Sequence, residues 1–460
     1  MIHFVGIGGV GMSGIAEVLL TLGYKVSGSD IKENARIRNL SRRGAEITIG
    51  HSADNLEGAD VVVKTSAVGE ENCEIKAARR NNIPVIPRAE MLAELMRLKQ
   101  GIAVAGTHGK TTTTAMVSLV LQSGGFDPTV VVGGRMHNMG IGARLGSDKQ
   151  IVVEADESDG SFLKLMPIMS IVTNIDDDHI DYYGDMQAVE EAFVEFINSI
   201  PFYGYAALCG DDERLYNLIE RVRKPFQTYG FAPHNDLRPV DWKQSEGQSK
   251  FTVCHQDREL GEIELPVPGR FNVLNALGAV AIGLEKEISF EAIKRGLENF
   301  EGVARRFDFK GKVASFRVYD DYAHHPTEIN KTIRAARESL EGELLVIFQP
   351  HRYSRTRDLA DEFGSALKEA DRLCVMDVYP AGEDKIEEIN IEYLREKIGP
   401  WRNGDVTYFA DEREKVLNWV EEQVEPGRPQ NLFTMGAGDV VNLAEPALDR
   451  VARITRGGDE

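Results

Sequence analysis

The sequence predicts an α/β protein of three domains: a Rossmann-like N-terminal domain, a P-loop-type central domain with a small antiparallel part, and a Rossmann-like C-terminal domain. Three observations carry this. Short apolar segments of strand character alternate with helical stretches through most of the chain, the pattern of parallel sheets covered by helices. Two glycine turns, beginning at Gly6 and Gly106, each follow such a segment and open a helix. The 460 residues correspond to roughly three domains at about 150 residues each. The expected boundaries are 1–98, 99–301 and 302–460.

In chain order, Ile2–Ile7 reads as a buried strand, followed by a glycine turn and an apolar helix through Leu22. Lys25–Asp30 and Val61–Ser66 are later strands, and a helix around Glu90–Leu98 closes the first domain. Gly101–Gln122 repeats the order strand, loop, helix. Further strands are expected at Thr129–Val132, Ile151–Glu154, Met169–Thr173 and Ala206–Cys209. Between about 225 and 268 the pattern becomes short and alternating, which predicts antiparallel hairpins. Pro268-Gly269 ends that pattern, and Phe271–Leu284 reads as a helix. After Gly302, buried strands are expected at Phe316–Tyr319, Leu344–Phe348, Leu373–Met376 and Leu432–Met435, with helical stretches between them.

Composition excludes several classes. The net charge of −20 disfavours nucleic acid and anionic membranes as partners. An anionic substrate would need positive charge gathered in a cleft. Cys73, Cys209, Cys254 and Cys374 lie far apart without a CxxC pair, which argues against a zinc site or a disulfide framework and for a reducing compartment. No apolar run is long enough to span a bilayer, and Met1 runs into a strand rather than a signal peptide. A cytoplasmic protein without membrane insertion is expected.

The strongest chemical signal is Gly106-Thr107-His108-Gly109-Lys110-Thr111-Thr112, between the apolar strand Ile102–Ala105 and the helix Thr113–Leu121. Glycines let backbone N–H groups turn toward a phosphate chain, and the helix N-terminus adds partial positive charge. Lys110 is placed to reach the β- and γ-phosphates of ATP, and Thr111 to offer a hydroxyl to Mg²⁺. The loop is shorter than the usual GxxxxGK[ST], because Val104 stands where the first glycine would be.

A magnesium nucleotide needs further hard ligands. Glu154 ends a strand, where parallel sheets present residues to a ligand crevice, and is the preferred metal carboxylate. Asp156 and Glu157 read rather as acids of a solvated loop. His179 follows another buried strand among carboxylates, a position suited to a metal or phosphate, although imidazole is softer than Mg²⁺ prefers.

Gly6-Ile7-Gly8-Gly9-Val10-Gly11 fits GxGxxG, and Asp30 ends the next strand. Alone this reads as a nicotinamide-dinucleotide fingerprint. The physics is less specific, since such a turn accepts a pyrophosphate whatever is attached to it. Two phosphate-binding domains point to two phosphate-bearing ligands, ATP at Lys110 and a diphosphate at Gly8–Ser13.

At this point the chain resembles a known family, the Mur ligases of peptidoglycan synthesis, over essentially its whole length. The resemblance rests on GIGGVGMSG at 6–14, GTHGKTTTT at 106–114, EADESDGSF at 154–162 and TNIDDDHIDYYG at 173–184. It continues with PGRFNVLNALGA at 268–279, GVARRFD at 302–308, DDYAHHPTE at 320–328 and QPHRYSRT at 349–356. It implies that ATP phosphorylates the lactyl carboxylate of UDP-N-acetylmuramate and that the amine of L-alanine attacks the acyl phosphate.

The resemblance also implies residue roles. Thr111, Glu154 and His179 would hold magnesium. Asn272 and Asn275 would serve the adenine end of ATP; helix capping is the alternative read from the sequence alone. Arg306 and Asp321 would touch phosphate and ribose, completing the ATP site when the C-terminal domain closes. His324, His325, Arg352 and Arg355 would lie near the incoming alanine, an arginine fork suiting its carboxylate; a solvated helix start is the alternative for the two arginines. Gly8, Gly9, Val10, Gly11, Met12, Ser13 and Ser66 would face the sugar nucleotide. The three domains would then bind UDP-sugar, ATP and amino acid in turn. Later ligases of the family carry a carbamylated lysine about 15 residues after the metal histidine. Here that neighbourhood is Phe193-Val194-Glu195, as in the alanine-adding branch.

Overall fold

The computed structural model describes the chain except residues 66, 98, 133–142, 178–179, 246, 402–405, 410–411 and 458–460. Three sheets follow one another. The first contains β1 (Ile2–Val5), β2 (Val26–Asp30), β3 (Glu46–Ile49), β4 (Val61–Lys64) and β5 (Val85–Pro87). Their order is β3-β2-β1-β4-β5, and every pairing is parallel. The chain leaves β1 toward one edge and returns on its other side at β4, so β1 is the switch point, and the first glycine turn stands at its carboxyl end. Helices α1 (Val10–Thr21), α2 (Ala35–Arg42), α3 (Cys73–Arg80) and α4 (Arg88–Arg97) complete this layer.

The second sheet contains β6 (Gln100–Ala105), β7 (Thr129–Val131), β8 (Ala143–Arg144), β9 (Gln150–Glu154), β10 (Met169–Val172), β11 (Tyr205–Cys209), β12 (Phe226–Tyr229), β13 (Leu237–Ser245), β14 (Gln248–His255) and β15 (Arg258–Leu265). The order is β15-β14-β13-β12-β11-β10-β6-β9-β7-β8. β6 lies between β10 and β9, parallel to both. It is buried from Gly101 to Ala105, as a strand covered on both faces must be. Helix α5 (Lys110–Ser123) follows it.

One expectation needs correction. The hairpin region does not begin at 225, because β12 pairs parallel with β11 and extends the parallel sheet. The helix Glu213–Leu218 lies between those two strands, and a helical crossover returns a strand parallel to its predecessor. β14 and β15, joined only by Gln256-Asp257, form a hairpin at one edge of this sheet, and β8 pairs antiparallel with β7 at the other.

The third sheet runs β16 (Asp308–Val313), β17 (Phe316–Asp321), β21 (Gln430–Met435), β18 (Glu343–Phe348), β19 (Arg372–Met376), β20 (Val406–Phe409). Only β16 is antiparallel to its neighbour. Strand periodicity sorts its core. Val346, Phe348, Leu373, Val375, Phe433 and Met435 belong to one apolar cluster, and Leu345, Ile347, Cys374, Met376 and Leu432 to another. Alternate residues thus supply opposite faces.

The chain divides into two compact units. One comprises Met1–Asp241, Phe251–Ile263 and Leu274–Glu301; the other comprises Trp242–Lys250, Glu264–Val273 and Gly302–Glu460. Among the described residues no helix is long and apolar enough to cross a membrane. All four cysteines are free, and only Cys73 is exposed.

A buried acid fixes the first sheet to α3. Glu74 has no exposed surface. It accepts hydrogen bonds from the Ser29 hydroxyl at 2.6 Å, from Asn55 Nδ2 and from the Ser52 N–H at 3.3 Å, and lies 3.2 Å from His51 Nδ1. Burial acts to raise its pKa, but the His3 ring 3.8 Å away and hydrogen bonds from Ser29 and Asn55 outweigh that and bring it from 4.5 to about 2. A carboxyl depressed in the folded state stabilises the fold above its unfolded pKa and loses that contribution as pH falls through the folded value. Glu74→Gln should therefore lose about 3 kcal/mol at neutral pH. Chemical unfolding from pH 7 down to 2 should show the wild-type advantage vanishing between about 4.5 and about 2. An equal deficit at every pH would contradict this account.

Candidate active site

In the first unit, Gly106 and Gly109 have φ of 127° and 85°, a region side chains disfavour. Space excludes side chains as well. A Cβ on Gly106 would collide with Thr173 Oγ1, and one on Gly109 would stand 2.6 Å from Asn275 Oδ1. The segment after β10 wraps the loop. Asn174 Oδ1 accepts from the His108 N–H at 2.9 Å, while its Nδ2 donates to the His108 carbonyl at 2.9 Å. The Thr173 hydroxyl donates to that same carbonyl at 2.6 Å. The Asp176 N–H donates to the Thr107 hydroxyl at 2.9 Å, and His108 Nε2 lies 3.0 Å from Asp176 Oδ2.

Helices α1 and α5 start at Gly9 and Gly109 with no side chain capping them. By contrast, Asn34 and Asn72 cap α2 and α3. The two helices that open on glycine turns thus keep their first-turn N–H groups clear of a capping side chain, as an anion site requires.

Lys110 is held from three sides. Its ammonium donates to the carbonyls of Gly106 at 2.7 Å and Thr107 at 3.2 Å and to Glu157 Oε1 at 2.7 Å. Those acceptors match its three donors. Burial disfavours its charge, but Glu157, Asp156 and Glu154 outweigh burial and push its pKa above the ordinary lysine value. The expectation of a solvated acidic loop is therefore overturned for Glu157, while the Asp156 side chain stays partly exposed. Glu157 is only 2% exposed, because a buried ammonium requires a counter-charge. Asp156 pairs with Arg88 at 3.3 Å. Glu154 ends β9 in register with Val104, two residues before the loop. Its carboxylate and the Thr111 hydroxyl are hard oxygen donors of the type magnesium takes. His179 and Ser66 lie outside the described residues. Met12 is a core side chain at 1% exposure.

In the second unit, Arg306 Nη1 donates to Glu328 Oε1 at 3.3 Å. The Asp321 carboxylate accepts from the N–H groups of Phe307 at 2.7 Å and Ala323 at 2.8 Å. Burial pushes its pKa up to about 6, against the pull of Arg306 and those two N–H groups. The Tyr322 ring carries the guanidinium of Arg305 at 4.8 Å and of Arg306 at 5.3 Å.

His324 and His351 stand with ring centroids 5.9 Å apart. Burial, aided by Arg355, lowers both to about 4, so they are uncharged at neutral pH. Arg355 Nη1 is 3.4 Å from His351 Nδ1. Arg352 sits at the N-cap of the helix Tyr353–Leu367 with φ 71°, a strained setting for a non-glycine residue. His325 caps the helix Pro326–Ser339, its Nδ1 accepting from the Thr327 N–H at 3.4 Å. Asn272, inside the helix Arg270–Glu285, donates its Nδ2 to the Pro268 carbonyl at 2.6 Å. Asn275 stands against Gly109 of the phosphate loop.

Sequence reasoning missed Glu157 as the lysine's counter-ion, and also Arg88, Glu328, Tyr322 and His351. Glu157, Glu328, Tyr322 and His351 all sit inside the motifs quoted above, but only three-dimensional proximity singles them out.

Strand β6, its glycine loop and α5, flanked by the acids after β9 and the polar segment after β10, define an α/β protein with a phosphate-binding loop. Three family models match the sequence: "Mur ligase family, catalytic domain" over residues 1–100, "Mur ligase middle domain" over 104–283 and "Mur ligase, glutamate ligase domain" over 305–438. The chain belongs to the Mur ligase family. It is 51% identical over 451 residues to a UDP-N-acetylmuramate–L-alanine ligase of Geobacter sp. (strain M21), covering 98% of this chain and 97% of the relative. Among solved structures it is similar to the UDP-N-acetylmuramate–alanine ligase MurC of Thermotoga maritima, with TM-score 0.82, 30% identity and 98% of each chain covered. A murein peptide ligase of Psychrobacter arcticus shares the fold at TM-score 0.71 and 23% identity, again over 98% of each chain.

Lys110→Ala should abolish ATP-dependent turnover and, by stranding the Glu157 charge, reduce stability by about 3 kcal/mol. Adding Glu157→Gln should restore the stability while turnover stays absent. Thermal unfolding and ADP release on the single and double variants measure both. Restored turnover in the double variant would remove Lys110 from the chemistry.

Proposed function

We propose that this chain joins L-alanine to the lactyl carboxylate of UDP-N-acetylmuramate with ATP, in peptidoglycan precursor synthesis in the cytoplasm. The observation that carries the reading is the Lys110 phosphate loop with Glu154 and Glu157 beside it. The assignment to residues 1–98, 99–301 and 302–460 of sugar-nucleotide, ATP and amino-acid binding belongs to this reading.

A carboxylate is a poor acylating group because its leaving group would be oxide. Transfer of the γ-phosphoryl group to a carboxylate oxygen gives an acyl phosphate and ADP. The alanine amine then attacks the carbonyl carbon, and the tetrahedral intermediate expels phosphate and leaves an amide. Lys110 and the α5 N-terminus stabilise the negative charge spread over the phosphoryl oxygens. Thr111, Glu154 and His179 would hold Mg²⁺, which supplies further positive charge to the phosphate chain. Asn275 lies beside the loop and Asn272 one helical turn before it. Arg306 and Asp321 take phosphate and ribose.

Arg352 and Arg355 receive the alanine carboxylate. The uncharged imidazole of His324 accepts hydrogen bonds from its amino group without adding positive charge near it. The glycine turn from Gly8 to Ser13 takes the sugar nucleotide's diphosphate.

Product mass tests the proposal. ATP, UDP-N-acetylmuramate and a panel of amino acids should yield the alanine adduct, with ADP and phosphate. Activity only with a preformed tripeptide would assign the chain to the peptide-recycling reaction instead. Arg306→Ala should lose turnover by about a hundredfold or more and keep UDP-N-acetylmuramate affinity, measured by calorimetry. Equal loss of that affinity would place Arg306 in the wrong site.

A further inference from the structure

The first glycine turn has an electrostatic problem. Gly6–Gly14 contains no lysine or arginine, and the Gly8 N–H donates to the Asp30 carboxylate at 2.8 Å. The Gly8 carbonyl accepts from Arg36 Nη1 at 3.2 Å, so acid and cation offset each other at that end of the turn, and the end at the first turn of α1 is left to be supplied with positive charge. Arg88 stands at that end. It is the first residue of α4, yet it reaches across to the first turn of α1. A Cβ on Gly11 would lie 3.0 Å from its Nη1, 3.1 Å from its Cδ and 3.4 Å from its Nε. With glycine at position 11, the guanidinium lies directly against the helix backbone, and a side chain there would have to push it aside. Arg88 is also held from the far side, since its Nη2 donates to Asp156 Oδ2 at 3.3 Å. The other oxygen of Asp156 accepts from the Ser158 N–H at 3.1 Å, which fixes the carboxylate that aims the arginine.

We propose that Arg88 is a substrate-binding residue that holds the diphosphate of the sugar nucleotide at the start of α1, and that Asp156 is its positioning residue. This rests on the function proposed above. Asp156 and Glu157 are neighbours on one loop, so a single turn of backbone aims the cation of one substrate and balances the cation of the other.

The test uses the full chain without ATP, titrated calorimetrically with UDP and with UDP-N-acetylmuramate. Arg88→Met keeps the apolar stem against Gly11 and removes the charge. It should weaken both ligands by about tenfold or more, by equal factors, and flatten the salt dependence of UDP binding relative to wild type. ATP affinity should hold. Asp156→Asn should weaken UDP by a smaller factor. Unchanged UDP affinity in Arg88→Met, a loss confined to UDP-N-acetylmuramate, or an equal loss of ATP affinity would each overturn the proposal. A wild-type chain that binds neither uridine ligand would instead overturn the functional reading on which it rests.

Discussion

The phosphate loop depends on a partly buried ammonium group whose every donor is taken. Lys110 spends its three N–H bonds on two carbonyls of its own loop and on Glu157. The carbonyl bonds curl the loop around the side chain, and the carboxylate makes burial of the charge tolerable. Any phosphate that reaches this ammonium has to displace one of those acceptors. The lysine is therefore part of the loop's architecture before it is part of any reaction. The glycines follow from the same packing, because Thr173 and Asn275 occupy the space that side chains at 106 and 109 would need.

The N-terminal domain uses a related device with different reinforcement. Its turn stands at the switch point of a parallel sheet, and α1 begins uncapped. Two guanidiniums reach the turn from other helices, Arg36 to the Gly8 carbonyl and Arg88 against Gly11. The end of β2 beneath the turn is tied down by Ser29, whose carbonyl accepts from both Gly6 and Ile7 while its hydroxyl reaches Glu74. A buried polar network of this kind fixes a backbone that carries few side chains of its own.

Much of this was legible in the sequence, because parallel strands buried on both faces read as continuous apolar runs. β6, β9, β10, β18, β19 and β21 were all expected within a residue or two. Strands missed by pattern are those with little buried surface: β3 is mostly exposed and β20 only half-buried, and β16 is an antiparallel edge. β12 reads as a hairpin strand because the crossover helix before it is only 6 residues long, too short for a helical period to show. At the site, glycines, Lys110 and Glu154 were readable because local order dictates their chemistry. Glu157, Arg88 and His351 were not, since a counter-ion or a stacked ring is chosen by proximity across the fold.

The uncapped starts of α1 and α5 differ in one respect. Gly109 needs its left-handed backbone, whereas Gly9 has φ −63° and ψ 149°, values open to any residue, with nothing nearer than 3.4 Å to a Cβ placed there. Serine at position 9 would fit and would cap α1, a gain of roughly a few tenths of a kcal/mol over glycine. Its hydroxyl would then compete for the amides that the proposed diphosphate would need. Retaining glycine there leaves the domain short of its attainable robustness, a sacrifice expected where ligand capture outranks thermal endurance.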